Sequence, residues 1–472
     1  MNIAEAKNEI KNSVRIYLER DENGDYLIPE ERQRPVLLIG APGIGKTAIM
    51  SKIAEELNIG YIGYTITHHT RQSAIGLPFI SKKNYGGVEY SVTEYTMSEI
   101  VASVYDAIEK QGKKEGILFI DEINCVSETL APAMLELLQR KKFGPHKIPD
   151  GWILTAAGNP EEYNKSVNEL DMVTLDRVKK IVVEPDYDAF KVYAYNSGIH
   201  DSVISFLSLN NQYLFKADRN MSGFDFVTPR GWEDLSTAIR EYERLGIEVT
   251  EHFVLQYVQY PQAAAEFMRF YKISSKFKEL RNGDGIENGE ILKAVITADN
   301  FEERFAVAEI LRAKAVKIAE KASAKLEAKN YIEKIVKEIE KDDKLLISEC
   351  ETLIRNMSSN KWNRYKKTAY KPIISIFESV HVKDETEEFV RDCISYAEKA
   401  VSKIANVLRF GIASLGKSQE YLTCVSGFIT NENFISLITE VDWMEIYALT
   451  SEIYEEQADS LKEKAKKVLS GN

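Results

Sequence analysis

The sequence predicts an α/β, doubly wound domain with a parallel sheet, followed by an all-α region. Three observations lead there. Short continuous apolar runs alternate with helical stretches through the first part of the chain, as expected for parallel strands covered on both faces. Eleven of the twelve prolines lie at or before Pro261, whereas Glu290 to Phe410 contains no glycine and only Pro372. Gly and Pro are the strongest breakers of regular structure, so the first part reads as mixed and loop-rich and the last part as mostly helix. The length, 472 residues, allows two to three domains.

The strand candidates are Val36–Gly40, Ile59–Thr67, Gly116–Asp121, Trp152–Gly158 and Lys180–Glu184. Ala48 to Leu57 is apolar at helical spacing. Phe79 to Tyr95 reads as a β-hairpin turning around Asn84-Tyr85-Gly86-Gly87, and Phe143 to Pro149 forms a second small insertion. Asn282 to Gly289 (NGDGIENG) is the best linker candidate. Beyond it, Phe305 to Ile339 is rich in Ala, Glu and Lys, and Ile332, Ile335, Val336 and Ile339 recur at helical spacing. A long amphipathic helix follows, its stripe serving as bundle core. Trp362, Tyr365 and the lysines Lys361, Lys366 and Lys367 read as a solvated helix end.

Composition excludes several classes. The net charge is 61 − 73 = −12, which disfavours nucleic acid as the main partner because phosphate neutralisation needs basic patches. Cys125, Cys350, Cys393 and Cys424 are widely spaced with no C-x-x-C, as in a reduced, cytoplasmic protein rather than a disulfide frame or zinc site. MNIAEAKNEI has no signal-peptide core, and no run reaches the ~18 apolar residues of a membrane span. His68-His69 read as loop histidines; there is no H-e-x-x-H pattern, and no metal other than Mg²⁺ is expected.

Gly40 to Thr47, GAPGIGKT, fits G-x-x-x-x-G-K-[ST] at every fixed position and lies between a predicted strand and a predicted helix. Backbone N–H groups of such a loop, with the helix dipole, favour anionic oxygens. Gly40, Ala41, Pro42, Gly43, Ile44, Gly45, Lys46, Thr47 and the following Ala48 are therefore the candidate nucleotide-binding residues. Lys46 would reach the β- and γ-phosphates, and Thr47 would offer its hydroxyl to Mg²⁺. Ile117 to Glu122 is an apolar strand ending in two carboxylates. Asp121 there can hold Mg²⁺ through its water shell, and Glu122 can polarise an attacking water. Asn159, at the tip of the Trp152 strand, can position that water or sense the γ-phosphate.

The set GAPGIGKT, LFIDEIN, TAAGNP, LDRV and TPRGW, in this order, resembles AAA+ ATPases, and within them the MoxR-like branch. The resemblance covers roughly residues 30 to 275. It implies a P-loop AAA+ core with a five-stranded parallel sheet over residues 1–185, a small helical lid over 186–280, and a helical, partner-binding region over 290–472. It also implies roles. Lys46 and Thr47 match the phosphate-loop pair, Asp121 and Glu122 the second nucleotide motif with Glu122 as base, and Asn159 the first sensor. Arg177 matches the arginine finger that reaches a neighbouring subunit's nucleotide, although Val178 stands where the family usually has Phe. Arg230 matches the second sensor, and Thr228-Pro229 read as N-cap and N1 of its helix.

The function this implies is Mg-dependent ATP hydrolysis at subunit interfaces of a ring, a hexamer by resemblance, which remodels or activates a partner protein. Such relatives are often linked to partners with a von Willebrand A-type domain. The insertion carrying Tyr85 would then face a pore and touch substrate; as a plain surface hairpin it would not. The competing readings are an ATP-gated scaffold with slow turnover and a nucleic-acid motor. No residue reads the base, so ATP over GTP rests on the resemblance.

Overall fold

The structure, a computed structural model, describes the chain apart from residues 69–73, 128, 164–166, 168–170, 221–222, 284, 290–297, 299, 339–360, 379–381 and 452–472. It divides into two compact units. The first comprises Met1–Phe190, Leu214–Lys216 and Phe226–Gly231; the second comprises Lys191–Tyr213, Ala217–Asp225 and Trp232–Asn472.

The first unit is built on a parallel sheet. Its strands are β1 (Val36–Gly40), β2 (Gly60–Thr65), β5 (Gly116–Asp121), β8 (Trp152–Gly158) and β9 (Lys179–Val183), in the order β2-β5-β8-β1-β9. Every residue of β8 is buried, and β1 and β5 nearly so, which is why continuous apolar runs marked them in the sequence. β2 is shorter than its apolar run because the chain tightens into a 3-10 turn at Ile66–His68. Helices α1 (Ile3–Leu18) and α2 (Lys46–Glu56) supply one buried face, with Ile10, Val14, Met50 and Ile53 against Leu38, Ile117 and Phe119. Helices α3 (Glu99–Gln111) and α4 (Ala131–Arg140) supply the other, with Val101, Val104, Met134 and Leu137 against Leu37, Leu118 and Leu154. A short α5 (Met172–Leu175) leads into β9.

Both insertions form hairpins. β3 (Pro78–Tyr85) and β4 (Val88–Tyr95) pair antiparallel, with Tyr85 opposite Val88. The turn is therefore Gly86-Gly87, both at positive φ, the geometry that favours glycine in a two-residue hairpin loop. β6 (Lys142–Phe143) and β7 (His146–Lys147) form the smaller one.

The second unit is mostly helical. It holds most of α6 (Tyr187–Ser197), then α7 (Asp201–Leu209), a ribbon of β10 (Lys216–Asn220) and β11 (Gly223–Val227), most of α8 (Pro229–Leu245), α9 (Glu251–Leu255), α10 (Pro261–Ser275) and α11 (Lys278–Asn282). These are followed by α12 (Phe301–Glu338), α13 (Lys361–Glu378), α14 (Val382–Leu415), α15 (Gln419–Ile429) and α16 (Glu432–Ile438). The helix expected from residue 305 starts at Phe301, and its apolar residues are bundle core as expected. Val307, Ile310, Leu311, Ile318 and Leu326 are buried, and so are Glu309, Arg312 and Glu320. Ile332 and Ile335 pack with Tyr370 and Ile373, whereas Ile339 and the side chain of Val336 lie outside the described residues.

Two expectations are corrected. The 282–289 segment is packed rather than a free linker: Ile286 is 2% exposed in the helical core. Lys314 Nζ donates to Gly283 O at 2.7 Å and Asn406 Nδ2 to Glu287 O at 3.2 Å. The helix end around Tyr365 is likewise docked, through Lys366–Glu327 at 2.6 Å and Lys321 over the Tyr365 ring; the side chains of Lys361 and Trp362 lie outside the described residues. No helix among the described residues is long and apolar enough to cross a membrane.

The sheet contains one tight steric slot. Gly60 and Gly116 are register partners, and Gly116 faces Trp152 on the next strand. A Cβ on either would lie 2.7 Å from the Trp152 ring. Overpacking of this kind costs about 1–3 kcal/mol, so Gly116→Ala is expected to lower the urea midpoint of the first unit by that equivalent, and to cost less in a Trp152→Phe background, where the smaller ring vacates part of the slot. Equal loss in both backgrounds would contradict the slot.

Candidate nucleotide site

The site assembles at the C-terminal ends of β1, β5 and β8, where a parallel sheet with crossover helices opens a crevice. β1 runs into the loop Gly40–Thr47, in which Gly43 and Gly45 adopt φ of 75° and 95°. These left-handed turns present successive backbone N–H groups to one side, and α2 begins at Lys46 with no side-chain cap on its free N–H groups. That is an anion cradle made by backbone.

Lys46 is buried beneath it. Its ammonium donates to Gly40 O and Ala41 O, both at 2.7 Å, and to Asn159 Oδ1 at 3.0 Å. Burial pushes its pKa down to about 8; Asp121 and Glu122 oppose the drop and Arg230 adds to it. Thr47 Oγ1 donates to Asp121 Oδ2 at 2.6 Å. The phosphate-loop hydroxyl and the β5 carboxylate, far apart in sequence, thus meet where a hard cation would sit. Mg²⁺ prefers one or two protein oxygens and keeps several waters, so this pair fits it. No group of three or more potential metal-binding side chains occurs among the described residues.

Glu122 follows in left-handed backbone, φ 57° and ψ 34°. Such a conformation is strained for a non-glycine residue and tends to cluster at functional sites. It is held by Glu122 N donating to Asp121 Oδ1 at 2.9 Å and by Thr67 Oγ1 donating to Glu122 Oε2 at 2.9 Å. Asn159, at the end of β8, is clamped by a buried neighbour. Asn124 Nδ2 donates to Asn159 O at 2.8 Å and Asn159 N donates to Asn124 Oδ1 at 3.2 Å. The clamp needs Gly158, since a Cβ there would lie 2.4 Å from Asn124 Oδ1.

Arg230 reaches the same loop. Its backbone N–H donates to Gly43 O at 3.2 Å, and Thr228 caps the helix by accepting from Gly231 N at 3.2 Å. A Cβ on Gly43 would strike Thr228 Oγ1 at 2.8 Å, so the loop and the start of α8 pack backbone to backbone. Arg177 is elsewhere. It precedes β9, the neighbour of β1, at the opposite, N-terminal end of the strands, exposed and bonded to Gln139 Oε1. It does not pair with Asp176; Glu169 lies outside the described residues.

The structure thus brings together Gly40 to Ala48, Asp121, Glu122, Asn159 and Arg230, and leaves Arg177 apart. Two contacts were missed in the sequence. Thr67 lies at a strand end next to no recognisable motif. Asn124 carried a signal, as the Asn of the DEIN run, but its partner is 35 residues away.

Residues 35–178 match the family model of the AAA domain, dynein-related subfamily. That match covers the sheet domain and its phosphate loop, and the segment is a P-loop nucleotide-binding domain of AAA type. No curated protein matches the chain.

The low pKa of Lys46 has a measurable consequence. Bound phosphate oxygens raise the pKa of this ammonium, so the complex carries more protons than the free protein between about pH 8 and the higher bound value. Below that window affinity is flat with respect to this group; within it affinity falls as pH rises. Calorimetry of ATP binding at pH 9 in buffers of different ionisation enthalpy should detect uptake approaching about one proton. No uptake there, with the affinity unchanged from pH 7, would remove Lys46 as the phosphate ligand.

Proposed function

We propose that the chain is a Mg-dependent ATPase of MoxR type that completes its active site between copies in a ring and uses turnover to remodel or activate a partner protein. One observation carries the shared-site reading. Lys46, Thr47, Asp121 and Asn159 lie at the C-terminal ends of parallel strands, and Arg177 enters the N-terminal end of β9. The five residues of β1 alone span roughly 16 Å at about 3.3 Å per residue. An arginine at that far end of the strands is displaced from its own chain's phosphate loop and suited to another's.

The roles follow from position. Lys46 and the loop N–H groups bind and orient the phosphates, and Arg230 adds positive charge beside them. Glu122 accepts a proton from the attacking water, which Asn159 helps to position. Arg177 from a neighbouring copy offsets charge developing on the transferred phosphoryl group. Mg²⁺ bound by Thr47, with Asp121 acting through water, would neutralise phosphate charge. Nucleotide choice of ATP, and six copies per ring, rest on resemblance.

The partner reading has its own support. On one face of the β3–β4 ribbon Phe79 is 45% exposed, Tyr85 57%, Val88 54% and Tyr90 51%. A two-stranded ribbon displaying that much apolar surface suits contact with polypeptide. The partner's identity, including a von Willebrand A-type domain, is carried by the resemblance alone.

A second reading, an ATP-gated switch with slow turnover, is favoured by the Thr67–Glu122 hydrogen bond. That bond occupies Oε2 and fixes the carboxylate's orientation, so the base has to leave Thr67 before it can face an attacking water. Thr67→Val is expected to raise basal hydrolysis several-fold if that bond restrains the base.

Complementation tests the shared site. Arg177→Ala keeps the loop and base but lacks the finger; Glu122→Gln keeps the finger but lacks the base. Each alone should fall by about 10³-fold or more in kcat, the scale of such groups in phosphoryl transfer. Mixing them should restore a substantial fraction of wild-type hydrolysis. A co-assembled mixture as inactive as its components would rule out the shared site.

A further inference from the structure

A basic cleft lies in the first unit away from the phosphate loop, and of its lining only Arg177 has a role so far. It has a volume of about 700 Å³ and is formed by residues 30–35, the end of α4, β6 and the approach to β9. The sheet register explains how these meet. Val36 pairs with Lys179, and Lys179 N donates to Pro35 O at 2.8 Å. The residues leading into the two strands, Arg34 and Arg177, therefore line one cleft. Lys141 ends α4 in left-handed backbone, φ 51°. Its ammonium is buried on Gln33 Oε1 at 2.9 Å, which sets Arg140 and Lys142 on the same wall.

The charge is unbalanced. Glu30 is taken up by Lys147 and Lys141. Among the described residues, Arg32, Arg34, Arg140 and Lys142 have no carboxylate within ion-pair distance, and Arg177 bonds only the neutral amide of Gln139. Seven cations and only three carboxylates, Glu30, Glu31 and Asp176, line the cleft; this excess of positive charge, in a chain of net charge −12, is self-repelling and favours an anion. Guanidinium groups dominate the set, and their planar forks match phosphate oxygens. No aromatic side chain lines the cleft, so it offers phosphate contacts but no stacking surface for a base. Its ligand therefore presents phosphates while another site holds the rest of the molecule.

We infer that this cleft receives the phosphates of the nucleotide bound in the loop Gly40–Thr47 of a second copy, with Arg34 and Arg140 as binding residues in trans beside Arg177. The inference rests on the ring reading proposed above and extends it. The neighbour's nucleotide is gripped by three arginines rather than one, so affinity as well as turnover depends on assembly. A free polyphosphate in the cleft is the competing source of the same chemistry.

The test uses the full chain carrying Glu122→Gln, which binds without turnover, and a fluorescent non-hydrolysable ATP analogue. Affinity is measured across a protein concentration series with light scattering at each point. With the cleft intact, affinity should tighten as copies assemble. Adding Arg34→Ala and Arg140→Ala should leave affinity at least about tenfold weaker at the assembled end, the scale of losing charge-assisted phosphate contacts. Arg34→Lys with Arg140→Lys should recover part of it by keeping the charge. Equal tightening with and without the two arginines overturns this proposal and leaves the ring standing. Constant affinity while light scattering shows copies assembling overturns this proposal alone; no assembly at any concentration overturns the ring reading and this proposal with it. Inorganic triphosphate binding to Lys46→Ala, lost in Arg34→Ala/Arg140→Ala and indifferent to concentration, assigns the cleft to a free anion and overturns the trans assignment.

Discussion

The buried ammonium of Lys46 is the constraint on which the rest of the site depends. A charge taken out of water is costly unless its donors are satisfied. Here the three acceptors are Gly40 O, Ala41 O and Asn159 Oδ1. They come from the end of β1, the loop itself and the tip of β8, so one side chain ties together segments separated by more than a hundred residues. Asn159 can serve only because Asn124 clamps its backbone, and Asn124 fits only because residue 158 is glycine. An incoming phosphate would give the ammonium a charged acceptor in place of neutral ones. The geometry thus holds the cation in place before the ligand arrives, which reduces the reorganisation that binding requires.

A parallel sheet has two chemically different ends, and this chain uses both. The C-terminal ends carry the anion cradle and the carboxylates. The N-terminal ends carry Arg34 and Arg177, with Arg140 and Lys142 beside them. On the ring proposal, the two ends of one subunit's sheet complement each other rather than themselves. That is the condition for a head-to-tail contact, and a head-to-tail contact that closes makes a ring. On this account the arginines do not contribute to the stability of the isolated chain; their positive field is offset only when another copy brings phosphates to it.

Much of the sheet and the cradle was legible in the sequence, for identifiable reasons. The strands Val36–Gly40, Gly116–Asp121 and Trp152–Gly158 have the bounds their apolar runs indicate, because both faces of those strands are buried. The Gly86-Gly87 turn was legible because two glycines at positive φ suit the shortest hairpin loop. Helix α1 was not foreseen, although Asn2 and Glu5 form a capping box that marks its start. The basic cleft was illegible for another reason. Its walls come from three stretches that no local pattern relates, brought together by the pairing of β1 with β9. The 282–289 segment looked like a linker because glycine and asparagine dominate it, but Ile286 anchors it in the helical core.

The central claim is that the active site is complete only between copies. Its most direct test is the ATP hydrolysis rate per chain across a concentration series, with mass measured by light scattering in the same samples. The account predicts a rate per chain that climbs with the assembled fraction and levels off when assembly is complete. A monomer that hydrolyses ATP at a rate independent of concentration would contradict it, and would leave Arg177 without a role in the chemistry.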